Sequence, residues 1–258
     1  MVKAGKGGAP GKGGAGGGGG ARGTGGARGT GGTRNLSVRV KTAKGRKIAS
    51  TRWLQRQLND PYVEAAKREG YRSRAAFKLT EIDDKHRLLK PGLIVLDLGA
   101  APGGWSQVAT ARVGAGEGKG RVIAVDLSAI EPIPGVEALV LDMSEPESGD
   151  HIKKALGGAR ADVVLSDMAA SATGHRQTDH LRVVALAESA FDIAEDTLAQ
   201  GGAFLAKVLQ GGADKDLLAR LKQGFAQVKH IKPKASRADS AEVYVLATGF
   251  RGAAARGA

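Results

Sequence analysis

Two lysines and two acids stand where charge is expensive to place. Asp167 closes the apolar run V-V-L-S-D-M, and Lys207 lies within F-L-A-K-V-L-Q. A lone charge in such a strand is costly to bury, and mutual pairing offsets that cost. Lys78 in the helical stretch S-R-A-A-F-K-L and Glu242 at the head of S-A-E-V-Y-V-L complete a set of four. Their common chemistry is proton transfer. With no cysteine and five histidines in the chain, Lys, Asp and Glu are the candidate bases. Desolvation and a neighbouring cation such as Lys78 both lower a lysine pKa from its reference of about 10.4, which gives Lys207 a way to act as base. Asp167 and Glu242 orient the amine while partly opposing that shift. A base held against a weakly acidic hydroxyl is worth about 10²–10⁴-fold in rate. Taken singly, each of the four also reads as a structural ion pair; together they are harder to explain that way.

A second cluster concerns a ligand. Leu93 to Trp105 reads L-I-V-L-D-L-G-A-A-P-G-G-W, a buried strand running through a glycine-rich turn into a helix. Gly99, Gly103 and Gly104 are expected to let backbone approach a ligand without Cβ atoms intervening. Dinucleotide sites use G-x-G-x-x-G with the pyrophosphate on a helix N-terminus. Here Asp97 and Pro102 flank the glycines instead, and an acid there suits a cationic amino group better than a diphosphate. Asp126 ends the next strand, V-I-A-V-D, where a ribose diol is commonly held. Asp142, expected to end a third strand in L-V-L-D-M, is placed for an adenine amino group or for ordering a loop. Ribose, adenine and an α-amino acid together describe S-adenosylmethionine. A methyl donor beside a base that deprotonates a hydroxyl makes O-methyl transfer the expected reaction, most of its acceleration coming from orientation.

The elements that must position these residues follow from the alternation of β-branched runs with helical stretches. Helices are expected over Pro61–Glu69, Ser73–His86, Gly104–Val113, Gly149–Leu156, Leu181–Ala199 and Asp214–Gln223. Strands are expected over Leu93–Leu98, Arg121–Leu127, Ala138–Met143, Asp162–Asp167, Gly202–Leu209, Ala226–Ile231 and Glu242–Thr248. Strands apolar on both faces, alternating with helices, imply an α/β Rossmann-like fold: a seven-stranded, mostly parallel sheet with helices on both faces. Lys232–Ala241 has no helical pattern, so the last strand is expected to run antiparallel.

These residues resemble the FtsJ/RrmJ-like ribose methyltransferases, and their bacterial ribosomal branch in particular. The markers are R-W-L-Q, D-P-Y-V-x-x-A, Y-R-S-R-A-A-F-K-L, D-L-G-A-A-P-G-G-W-S-Q and E-V-Y-V-L-A-T-G-F, spread from about Arg52 to Arg251. The resemblance implies a Lys-Asp-Lys-Glu tetrad at Lys78, Asp167, Lys207 and Glu242, with Lys207 as proton acceptor. It implies S-adenosylmethionine contacts at Gly103, Trp105, Asp126, Asp142 and Asp167. It also implies a uridine 2′-hydroxyl of 23S rRNA as acceptor, within the assembled large subunit. Alternatives are another RNA, such as tRNA or an mRNA cap, and an RNA-binding assembly factor whose methylation is incidental.

Charge divides the chain. Of 39 Lys and Arg, 13 precede the first acid, Asp60; the remaining 26 balance the 26 Asp and Glu, so the whole net charge of +13 lies ahead of Asp60. Residues 1–34 are a Gly/Arg-rich basic tail with A-R-G-T-G-G twice in succession, and disorder is expected there. Residues 35–59 form a basic segment, 60–251 the methyltransferase domain and 252–258 a flexible end. A basic extension on a neutral domain suits a polyanion, since each Lys or Arg near phosphate releases counterions; a solubilising tail is the bland alternative. No apolar run approaches the length of a membrane span, and the N-terminal residues lack a secretion signal's apolar core. A soluble, cytoplasmic monomer without a membrane or obligate protein partner is expected. His175, Asp179 and His180 read as polar loop residues, no metal being expected. Trp53 and Tyr62 serve as base-stacking or core residues, and Lys232, Lys234 and Arg237 are candidates for phosphate contact.

Overall fold

The computed structural model describes residues 48–170, 173–210, 215–238 and 240–252. The expected tail, the basic segment up to residue 47 and residues 253–258 lie outside the described residues. Seven strands form one sheet: β1 (Ile94–Leu98), β2 (Arg121–Asp126), β3 (Val136–Val140), β4 (Ala161–Ser166), β5 (Leu198–Leu209), β6 (Phe225–Ile231) and β7 (Glu242–Phe250). Their order is β3-β2-β1-β4-β5-β7-β6. Strands β1 to β5 pair in parallel, and β7 runs antiparallel between β5 and β6, as the helix-free 232–241 connection requires.

The central strands are buried on both faces because each alternates between two cores, while the edge strands β3 and β6 are more exposed. Leu96, Leu98, Val125, Phe204 and Val245 pack with Ile152, Phe191 and Leu217, which lie on α5 (Ser148–Leu156), α6 (Arg176–Thr197) and α7 (Lys215–Gly224). On the other face Val95, Leu165, Leu205 and Tyr244 pack with Leu79, Ile82, Trp105 and Val108. Those four helical residues belong to α3 (Ala75–His86) and α4 (Gly104–Val113). By the period of two, Asp97, Lys207, Glu242 and Tyr244 all face α3 and α4.

Helix α2 (Pro61–Glu69) starts and stops where its sequence signals stand. Asp60 accepts the Tyr62 N–H at 3.1 Å as N-cap, Pro61 opens the helix, and Gly70 closes it in the left-handed region at φ 76°. One helix is added to those expected, and the bounds of two elements are corrected. The basic stretch before Asp60 ends in a helix, α1 (Ile48–Leu58). Strand β3 covers Val136–Val140, not Ala138–Met143, because β2 ends at Asp126, which pairs with Val140 and offers no further partner. Helix α6 begins at Arg176 and ends at Thr197; strand β5 takes over at Leu198, paired with Ala161 ahead of a bulge. No helix among the described residues is long and apolar enough to cross a membrane.

Candidate active site

Strands β1 and β4 are neighbours whose connections leave in opposite directions across the sheet, so a crevice opens beyond their C-terminal ends. The glycine turn after β1 and Asp167 after β4 meet there. Gly99 sits at φ 75°, and a Cβ on it would lie 2.5 Å from Met168 Cγ. Gly103, at φ 108°, would place its Cβ 2.9 Å from Ile133 Cδ1, and a Cβ on Gly104 would collide with Ser73 Oγ. On the side where a Cβ would stand, each of these glycines therefore meets protein. They let the turn close down on Met168, the loop after β2 and the start of α3.

The four charged residues converge. Lys207 Nζ lies 2.9 Å from Asp167 Oδ1 and 4.0 Å from Glu242 Oε1. It also donates to the backbone oxygens of Asp167 at 2.7 Å and Met168 at 3.3 Å. Lys78 Nζ pairs closely with Glu242 Oε1 and lies 4.0 Å from Asp167 Oδ1. Two cations and two anions thus occupy a largely buried patch of zero formal charge. Burial alone would raise the Glu242 pKa, but Lys78 and then Lys207 outweigh it and hold the carboxyl below its ordinary value.

Register explains the convergence. In the antiparallel β5–β7 pair Lys207 stands opposite Tyr244 and Leu209 opposite Glu242. Asp167 follows Ser166, which pairs with Ala206, one residue short of Lys207. Helix α3, packed on this face, brings Lys78 down from above.

The structure adds a fifth member, Tyr244. Its fully buried hydroxyl accepts from Lys78 Nζ at 3.0 Å and lies 2.7 Å from Asp167 Oδ1 and 2.9 Å from Glu242 Oε1. Its one proton is shared between the two carboxylates. Burial first, then the charges of Asp167 and Glu242, push its pKa well above the ordinary phenol value. A signal was present in E-V-Y-V-L: the tyrosine lies two residues from Glu242 on a strand and so shares its face.

The acids expected at a ligand occupy different surroundings. Asp97 is wholly buried: Oδ2 accepts from Ser106 Oγ at 2.6 Å, while Oδ1 has no partner. Burial, opposed by the Ser106 hydrogen bond and aided by Asp167 and Asp126, raises its pKa to about 7. Asp126, at the end of β2, accepts from Ala101 N–H at 3.0 Å and Ser128 N–H at 2.8 Å, which fixes it against the glycine turn. Asp142 does not end a strand. It lies exposed beyond β3 and accepts from the Ser144 N–H and hydroxyl, which hold its pKa below the ordinary value. The Trp105 ring is buried on Tyr244, with its indole N–H donated to the Ala75 carbonyl at 2.8 Å. Pro102 is exposed in the turn, its carbonyl accepting from Arg72 at 3.3 Å.

The remaining candidate residues lie outside this cluster. Asp179 and His180 lie in the first turns of α6 rather than in a loop, and the Asp179 carboxylate accepts from Thr173 and Gly174. The Tyr62 ring lies against Phe77 with its hydroxyl on Glu81, which matches the core-packing alternative. The side chain of Trp53 lies outside those described. Of the basic trio, Arg237 pairs with Asp60, Lys232 donates to the Ser240 carbonyl, and Lys234 is exposed.

Comparison with known proteins gives the family. A model of the FtsJ-like methyltransferase family matches residues 71–250. The ribosomal RNA large subunit methyltransferase E of Xanthobacter autotrophicus is 62% identical over 221 residues, covering 86% of this chain and 87% of that protein. The protein of the same name from Parvibaculum lavamentivorans is 62% identical over 224 residues, covering 84% and 88%. A crystal structure described as a ribosomal RNA methyltransferase from Plasmodium falciparum superposes with a TM-score of 0.63 at 31% identity, over 70% of this chain and all of that one. With the family pattern matched over most of its length, the chain belongs to the FtsJ-like methyltransferases.

Proposed function

We propose that this enzyme transfers a methyl group from S-adenosylmethionine to the 2′-hydroxyl of a uridine in 23S rRNA, within the large ribosomal subunit. The observation carrying the reading is the buried, charge-neutral Lys78–Asp167–Lys207–Glu242 cluster at the mouth of the sheet crevice. The names of the relatives supply the ribosomal acceptor.

The residues present suit the donor. Asp97 Oδ1 is a buried acceptor lacking a partner, of the kind a cationic amino group satisfies. Each Asp126 oxygen already accepts one backbone N–H and retains a lone pair for a ribose hydroxyl. Asp142 stands exposed at the same sheet edge, within the chemistry of an adenine amino group. Gly99, Pro102, Gly103, Gly104 and Trp105 build the turn between these acids, and Asp167 borders it from β4. S-adenosylmethionine, when bound, supplies an activated methyl on a sulfonium that departs as a neutral thioether.

The chain must then orient a hydroxyl and take its proton. Lys207 Nζ as an ammonium has acceptors for all three protons: Asp167 Oδ1 and two backbone carbonyls. A neutral Lys207 keeps two of these bonds and turns its lone pair to the hydroxyl. Lys78, locked to Glu242 and Tyr244, helps to keep both carboxylates in place.

Residues 60–251 serve as the catalytic domain and the basic residues before Asp60 as a sequence-tolerant RNA contact, in a monomeric cytoplasmic enzyme. The test is to incubate the protein with labelled S-adenosylmethionine and large subunits from a strain lacking it, then map the labelled nucleotide. Label on a base rather than a ribose, or on tRNA in preference to subunits, overturns the assignment.

A further inference from the structure

Asp97, near the C-terminal end of β1, is wholly buried. Its partners in register are Ala124 of β2 and Leu165 of β4, both apolar and buried. From α4, the Ser106 hydroxyl meets Oδ2 at 2.6 Å and is itself wholly buried, while Oδ1 has no partner. The charges acting on the carboxyl are those of Asp167, beyond β4, and Asp126, at the end of β2. Both are acids, and Asp167 is already paired with Lys207 at 2.9 Å. Asp97 thus meets apolar walls, two like charges and one hydroxyl.

Such surroundings make the anion costly: it is desolvated, repelled by its neighbours and unpaired at one oxygen. The carboxyl accordingly titrates at about 7, with burial the largest cause and the Ser106 hydrogen bond opposing it. Ser106 can serve either form, because a hydroxyl donates to a carboxylate and accepts from a carboxylic acid. A cation on the Oδ1 side would reverse the balance in favour of the anion. The amino-acid portion of S-adenosylmethionine carries one. Asp126, which accepts the Ala101 N–H at 3.0 Å, borders the same turn, so a cation there faces more than one carboxyl.

We infer that the ammonium group of the donor takes the place of a proton on Asp97, so that cofactor binding expels a proton and selects nucleosides bearing an α-amino group. The Asp97 O–H bond breaks, its electron pair stays on oxygen, the proton passes to buffer, and carboxylate and ammonium remain as an ion pair. One positive charge enters as one leaves, so the turn never has to hold a bare buried anion. An uncharged nucleoside gives Asp97 no cause to ionise and forgoes the pairing. At low pH the exchange costs affinity, because the proton competes with the ligand. The inference rests on the reading, given above, that the glycine turn and its acids hold the donor.

The test uses the full chain and S-adenosylhomocysteine, which keeps the amino acid but has no methyl to transfer, titrated by calorimetry in two buffers of different ionisation enthalpy. Below about pH 7, where the ligand's amine stays charged, close to one proton should be released per ligand bound. Affinity should rise by about tenfold per pH unit over that range and level above it. 5′-Methylthioadenosine, which lacks the amino acid, should bind without proton release and with a flat pH profile. Ser106→Ala removes a bond that favours the anion, so the break in the S-adenosylhomocysteine profile should move to higher pH. Asp97→Asn should release no proton. Binding of S-adenosylhomocysteine by the wild-type chain without proton release overturns the inference and leaves the donor reading standing. So does release that persists in Asp97→Asn, or equal release with 5′-methylthioadenosine. Absence of S-adenosylhomocysteine binding at every pH overturns both.

Discussion

Tyr244 and Lys207 meet on one atom: the Tyr244 hydroxyl lies 2.7 Å from Asp167 Oδ1, and Lys207 Nζ lies 2.9 Å from the same oxygen. Whatever orients that carboxylate therefore acts on the lysine. The phenol also contacts Lys78 and Glu242, so it ties both ion pairs together.

Tyr244→Phe should test this tie. The ring still fills its place against Trp105, so the fold and cofactor affinity should survive. Removing a hydroxyl that hydrogen-bonds charged groups should lower stability by about 1.5–3 kcal/mol. Turnover should fall, and its pH profile should shift, because Asp167 and Glu242 lose a shared donor. Thermal unfolding and single-turnover rates across pH measure both; an unchanged pH profile would make the tyrosine purely structural.

Lys207→Ala should lower single-turnover methylation by about 10²–10⁴-fold while leaving S-adenosylmethionine affinity largely intact by calorimetry. Lys207→Arg should not restore it, since a guanidinium does not give up its proton near neutral pH. Retained activity in either variant would remove Lys207 from the role of base.

Gly99→Ala meets two obstacles at once, a φ of 75° and a Cβ placed 2.5 Å from Met168 Cγ. The positive φ alone costs on the order of 1 kcal/mol or more. Pairing it with Met168→Ala should relieve only the side-chain part of the collision, since the same Cβ lies 2.9 Å from Met168 Cα, so recovery of the unfolding midpoint should be partial. Full recovery would mean that the conformation costs nothing.

Asp97 ties stability to pH in the ligand-free enzyme. Its carboxyl titrates at about 7 when folded, against a reference of 3.8. Between those values the folded state holds more protons than the unfolded one, so this group's contribution to stability falls as pH rises from about 4 to 7 and then levels. Glu242 acts in the opposite sense: its depressed pKa adds stability above its ordinary value of 4.5, lost as pH falls through the folded pKa. Asp97→Asn should flatten the decline between pH 4 and 7 in urea midpoints; an unaltered profile would mean that the carboxyl titrates normally.

Sequence alone carried the alternation of the strands, the capping of α2, the antiparallel last strand and the types of the four charged residues. Those are properties of short windows, in which periodicity, caps and the cost of a charge in an apolar run are all visible. It misplaced β3 and Asp142 because the end of an edge strand is set by where its neighbour stops, here Asp126 opposite Val140. Nothing local reveals that Met168, distant in the chain, packs against the Cβ side of Gly99. Only the tertiary structure decided that Tyr244 joins the charged cluster and that Asp60 caps one helix while holding Arg74 and Arg237. Both depend on α3 packing over the β5–β7 pair, a long-range arrangement that fixes distances which sequence spacing leaves free.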